Sequence, residues 1–214
     1  MLRVLKPEEH VLRRARHLFP FLIIASTIGV FTGCLKKNAA ELPVLGNVPD
    51  FSLTERSGKP FSSAELDGKI WIADFIFTNC AGTCPIMTSA MAEIQTSLVE
   101  QKLYDVKLVS ISVDPDRDTP EALSTFANGY GADSTRWYFL TGDGKAIQEL
   151  ANQGFHLAAA TPQGGAEEQI IHSNRFVLVD RHANIRGYYD GTDEEAVKKL
   201  LTDLKNLYHS QNPS

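Results

Sequence analysis

The chain has 214 residues, room for one well-buried domain and an appendage; with 43% hydrophobic and 22% charged residues it is neither disordered nor a multi-span membrane protein by composition. The formal net charge of −5 is unevenly spread: residues 1–34 carry five of the 21 Lys and Arg but two of the 26 acids, leaving 16 basic against 24 acidic residues beyond them. An acidic body argues against a nucleic-acid partner, which calls for a basic surface.

The head is basic through Arg3, Lys6, Arg13, Arg14 and Arg16, and an uncharged run follows from Leu18 to Leu35. A basic segment before an apolar one reads as an export signal or an N-terminal anchor. The run's 18 residues include Pro20, and its length is at the lower limit of a bilayer span, about 17 to 25 residues. "FTGC", ending at Cys34, is similar to the lipobox of bacterial lipoproteins, with Phe31 where Leu is usual. Residues 1–34 are therefore expected to be a signal or membrane anchor, either an uncleaved helix or a lipoprotein signal cut before Cys34. Both tether the body on the exported side. Glu8 and Glu9 fit poorly with an acid-poor mitochondrial leader, so the expected compartment is the bacterial periplasm, where disulfides persist.

Residues 35–48 lack a sustained period and contain Pro43 and Gly46, as a linker does. Residues 49–210 are expected to form the domain. "DFSLTERSGKPFS" reads as two short strands about Ser57-Gly58, and "GKIWIADFIF" as a strand buried on both faces. Pro85 suits the first turn of a helix; Ala90, Met91, Ile94 and Leu98 recur at helical spacing, which predicts a helix from Pro85 to Gln101. "VKLVSISV" is the next strand, Thr119-Pro120-Glu121 opens a second helix toward Tyr130, "WYFL" is a short strand, and Asp143 to Gln153 is helical. Residues 154–170 read as a loop or hairpin insertion. "RFVLVD" and "NIRGYYD" make a closing hairpin around Arg181 to Ala183, and "TDEEAVKKLLTDLKNLYH" is a final amphipathic helix. This order predicts an α/β fold: a thioredoxin-like mixed sheet flanked by helices, with an N-terminal hairpin and an insertion before the late strand.

Cys80 and Cys84, in "FTNCAGTCP", fall between the C-terminal end of a central strand and the start of a helix, the edge at which open α/β sheets bind ligands. A helix N-terminus favours a thiolate. A thiolate serves equally as the attacking species in disulfide exchange and as a soft metal ligand, so position alone leaves both roles open. The spacing is C-x-x-x-C rather than the redox C-x-x-C, and no second pair exists to close a four-ligand zinc site. Two thiolates and one imidazole suit Cu(I). Of the six histidines, His10 and His17 belong to the head, His209 to the C-terminal end and His182 to a turn away from the cysteine edge. His172 directly precedes the late strand, whose start a thioredoxin-like sheet brings beside the cysteine loop. His156, in the insertion, is a second candidate.

The segments "DFIFTNCAGTCP", "VSISVDPDRDTPEAL", "WYFLTG" and "HSNRFVLVD", in this order over residues 50–190, resemble the SCO/SenC family of copper-binding, thioredoxin-like proteins of cytochrome c oxidase assembly. The resemblance implies that Cys80, Cys84 and His172 ligate copper, and that the chain delivers it to the CuA site of cytochrome c oxidase subunit II. It further implies an N-terminal membrane anchor, and other copper chaperones or thioredoxin-like reductants as partners. Ala81 stands where the family often has Pro, a change that loosens the loop and removes no ligand.

Asp114, Asp116 and Asp118 alternate as at the start of an EF-hand, but Thr119 stands where that loop needs Gly and Thr125 where it needs a bidentate Glu. No calcium site is expected. Asp118-Thr119-Pro120 reads as a helix start, Asp114 as a partner behind the metal ligands, and Met87 as packing rather than a thioether ligand. The alternative function is a membrane-anchored thiol-disulfide oxidoreductase that reduces the cysteines of the oxidase copper site, with Cys80 or Cys84 as nucleophile. Such reductases usually place a Pro before the late strand, and none occurs here between Pro162 and Pro213, which favours metal binding. A peroxidase wants Thr three residues before its Cys, where Phe77 and Ala81 stand.

Overall fold

The computed structural model describes residues 41–157 and 173–212, all within the compact unit Asn38–Ser214. The expected anchor with Cys34, residues 158–170 of the expected insertion, and His172 lie outside the described residues. Among the described residues no helix is long and apolar enough to cross a membrane.

Eight strands form one mixed sheet: β1 (Gly46–Asn47), β2 (Ser52–Glu55), β3 (Pro60–Ser62), β4 (Trp71–Ile76), β5 (Lys107–Ser112), β6 (Trp137–Thr141), β7 (Arg175–Val179) and β8 (Asn184–Asp190), in the order β1-β8-β7-β4-β5-β6-β2-β3. The helices are α1 (Cys84–Glu100), α2 (Pro120–Gly129), α3 (Gly144–Glu149), which runs on into a π-helical turn over Leu150–Gly154, and α4 (Glu194–Gln211). Strands β4, β5 and β6 are parallel, while β7 lies antiparallel to β4 on its other side. The expected hairpins form as β2–β3 and β7–β8.

Side-chain alternation along β4 assigns the two layers. Ile72 and Ile76 face one way, into a core with Met87, Met91, Ile94 and Leu98 of α1, Leu123 of α2 and Leu200 and Leu204 of α4. Trp71, Ala73 and Phe75 face the other, against Ile147, Leu150, Phe155 and Val177. All six residues of β4 are buried, which is why the segment reads as a continuous apolar run. The four-three-four spacing of Met87, Met91, Ile94 and Leu98 is the inward stripe of α1. Met87 is packed core, as the sequence suggested.

The stretch expected as a linker contributes β1, a two-residue edge strand paired with β8. A two-residue strand leaves no periodicity to read. Arg186 holds the same stretch from beneath: it donates to the carbonyl of Leu42 and pairs with Asp180 at 2.9 Å.

The candidate dithiol site

Cys80 lies in the loop between β4 and α1, and Cys84 is the first residue of α1 with Pro85 behind it. Pro85 fits there because a residue in the first helical turn needs no intrahelical N–H bond. The helix starts differ in one respect. Thr119 caps α2 through Ala122 N (3.3 Å), Asp143 caps α3 through Ala146 N (2.8 Å), and Asp193 caps α4 through Glu195 N (2.8 Å). The residue in that place before α1, Thr83, makes no side-chain cap. The sulfur of Cys80 serves instead, accepting Gly82 N–H at 3.4 Å and interacting with the N–H groups of Cys84 and Thr83.

This arrangement divides the two thiols. The partial burial of Cys80 raises its pKa, but the N–H groups of Cys84 and Gly82, the Cys84 thiol and Thr83 N–H outweigh it, and the net shift is below the ordinary thiol value. Burial pushes the Cys84 thiol up to about 12, with further contributions from Cys80 and from the charge of Asp74. Cys80 is therefore the thiol that ionises more readily, and Cys84 the partner held protonated behind it. Both are free thiols in this structure.

Beneath the pair lies a group the sequence reading passed over. Asp74 is fully buried in the middle of β4, on the face it shares with Ile72 and Ile76, and neither carboxylate oxygen has a hydrogen-bond partner at normal distance. Burial raises its pKa to about 7, with Ser110 on β5 and its own backbone offsetting only part of the shift. A lone acid inside "IWIADFIF" was the available signal, since a carboxylate rarely enters a two-sided apolar strand without cause.

The structure separates the other candidates. Asp114 bonds Arg117 at 2.5 Å. His182 sits in the β7–β8 turn, its N–H on Asp180 at 2.9 Å, at the end of β4 opposite Cys80. The ring of His156 packs on Gly46, 3.0 Å from where a Cβ there would stand, at the edge strand β1 and away from the cysteines. Among the described residues no third His, Cys, Asp or Glu joins the pair in a metal-binding group. Strand β7 enters the sheet from the cysteine end of β4. Its ladder with β4 pairs Ala73 with Val177, and the same register continued outward sets Ser173 level with Phe77, three residues before Cys80. Ser173 is buried.

A mixed sheet of this order, with a dithiol at the junction of its central strand and first helix, defines a thioredoxin-like thiol protein. The SCO1/SenC family profile matches residues 43–209, and the chain belongs to that family. Three solved structures show the relationship. A SCO1/SenC family lipoprotein from Bacillus anthracis str. Ames is 36% identical, with a TM-score of 0.69 over 77% of this chain and 96% of its own. BsSco, described with a disulfide switch as a member of the Sco family of cytochrome c oxidase assembly proteins, is 35% identical, with a TM-score of 0.66 over 78% of this chain and 95% of its own. ScoI of Arabidopsis thaliana, solved with copper bound, is 23% identical with a TM-score of 0.61 over 75% of this chain and 99% of its own, and shares the fold.

Proposed function

We propose that this protein is a copper metallochaperone that holds copper through the thiolates of Cys80 and Cys84 and the imidazole of His172, and passes it to the CuA site of cytochrome c oxidase subunit II. The observation that carries the reading is the role of Cys80 at the start of α1. Its sulfur takes the place of a helix cap, so an anionic, soft donor is favoured there before any metal arrives. Copper is the cargo, and the donor set fits it: two thiolates and one imidazole suit a soft ion content with three ligands. Cys84, with its high thiol pKa, gives up its proton as the metal binds, so loading releases protons. The buried Ser173, ahead of β7 and level with Phe77 in the register of β7 with β4, supports His172, the residue before it, as the third ligand. The domain is anchored by residues 1–34 at the bacterial cytoplasmic membrane and works in the periplasm. The lipoprotein relative supports the tether, and mass spectrometry of the membrane-extracted chain distinguishes a lipidated Cys34 from an uncleaved anchor.

The thiol asymmetry also favours a second reading, in which the chain reduces the cysteines of the oxidase copper site. The Cys80 thiolate attacks one sulfur of the partner disulfide and the other partner sulfur leaves as a thiolate. Cys84 then loses its proton, attacks Cys80 and releases the partner dithiol, leaving a Cys80–Cys84 disulfide. Anaerobic copper titration of the detergent-solubilised chain separates the readings. About one copper per chain is expected, and Cys80→Ser, Cys84→Ser and His172→Ala each weaken binding strongly, because a three-ligand site loses most of its affinity with any ligand. Undiminished binding in His172→Ala overturns that ligand. A reduced chain that ignores copper yet rapidly reduces a disulfide substrate establishes the reductase.

A further inference from the structure

Asp118 is completely buried, and among the described residues no cation pairs with it. Its carboxylate instead gathers neutral donors from two diverging strand ends. It accepts the Thr78 N–H at 3.1 Å and the Thr78 hydroxyl at 2.5 Å from the chain leaving β4, and the Ser112 hydroxyl at 2.5 Å from the last residue of β5. The turn that delivers it is closed on itself: the N–H groups of Arg117 and Asp118 both return to the carbonyl of Asp114, at 3.1 and 2.9 Å. The aspartates of "VDPDRD" thus form a clasp rather than a cation loop, with Asp114 closing the turn and Asp118 pointing inward from it.

The position of the clasp gives it a task. Thr78 is two residues before Cys80, with only Asn79 between them. The far end of the cysteine loop is set independently, because Cys84 belongs to the first turn of α1 and α1 is packed on the sheet. The distance between the two sulfurs therefore depends on where the near arm is held, and Asp118 holds it. A carboxylate suits the site because it is acceptor-only: two oxygens meet three donors, one of them a backbone N–H that cannot reverse. An amide would turn a donor toward them.

We propose that Asp118 is the positioning residue of the Cys80–Cys84 loop, fixing the near arm through Thr78 so that the two sulfurs stand at the separation from which they take a metal or close a disulfide. The inference rests on the reading that these are the working thiols, and it applies to both functions above.

The test equilibrates the detergent-solubilised full chain with glutathione redox buffers, traps the thiols and quantifies the Cys80 and Cys84 peptides by mass spectrometry. The variants are Asp118→Asn, Thr78→Val and Ser112→Ala. Asp133→Asn is a control: Asp133 accepts Thr135 N–H and hydroxyl in a comparable anchor at the start of β6, away from the cysteines. Asp118→Asn is expected to change the dithiol–disulfide equilibrium constant at least tenfold, about 30 mV for a two-electron couple. Thr78→Val, which keeps the backbone bond and loses only the hydroxyl, moves it in the same direction by less and settles the matter if Asp118→Asn does not fold. Asp133→Asn lowers the melting temperature and leaves the constant unchanged. A constant within twofold of wild type in both Asp118→Asn and Thr78→Val overturns the proposal, as does an equal change in the control. The measurement needs no copper, so a chain that binds none overturns the metallochaperone reading alone.

Discussion

Asp74 acts on Cys84 through the core: the carboxylate faces the layer to which Cys84 belongs, and its charge adds to the burial and the Cys80 interaction that keep the Cys84 thiol protonated. With an apolar neighbour in place of Asp74, Cys84 would ionise at lower pH, and the contrast between the two thiols would shrink.

Asp74 also costs stability. Its pKa is 3.8 in the ordinary state and about 7 when folded, so the folded chain holds a proton that the unfolded chain has released between these limits. Stability is full below pH 4, falls as pH rises toward 7 and stays low above it, an effect of roughly 4 kcal/mol for three pKa units. Asp74→Asn is expected to be more stable than wild type at pH 8 and to converge with it near pH 4 in urea denaturation. Parallel stability curves across this range would refute the assignment.

Iodoacetamide should distinguish the thiols at neutral pH. Cys80, with its lowered pKa and sulfur at the helix start, is expected to be alkylated at least tenfold faster than Cys84, and its rate to level off at a lower pH than for an ordinary thiol. Peptide mass mapping reads both sites in one reaction. Equal rates would remove the asymmetry on which both functional readings draw.

Arg186 and Asp180 form a buried pair, with side chains 6% and 1% exposed. Removing one partner of a buried pair leaves an uncompensated charge, typically at a cost of about 3 to 5 kcal/mol. The N–H groups of His182 and Asn184 remain on Asp180, so Arg186→Met is expected near the lower end, and it also frees the carbonyl of Leu42. The double variant Asp180→Asn, Arg186→Met should recover part of the loss. Equilibrium denaturation measures both, and a loss below about 1 kcal/mol in the single variant would show that water reaches the pair.

Much of the fold was legible because burial leaves periodicity behind. The unbroken apolar run of β4, the spacing of Met91, Ile94 and Leu98 in α1, and the hairpin about Ser57-Gly58 all appear where the pattern set them. The start of α1 at Cys84 rather than Pro85 differs by one residue, and that residue decides the chemistry, because it puts the second thiol inside the helix. β1 was hidden, being too short for a period. Asp118 was read as part of a helix start, which describes its neighbour Thr119 correctly; its own side chain turns into the core to bonds 40 residues back and six residues back along the chain.

By itself the sequence determined the layer order, the strand-to-helix setting of Cys80 and Cys84, and the family, since these follow from local pattern and from residue types at fixed spacing. Only the tertiary structure decided which thiol ionises, what lies beneath the pair and what holds its loop. Those properties depend on groups far apart in the chain: the uncapped start of α1 turned toward one sulfur, Asp74 sealed under the other, and Asp118 reaching across from the end of β5. Ionisation and loop position are set by burial and by the direction of a few N–H and hydroxyl groups, and neither is encoded by spacing along a strand or helix.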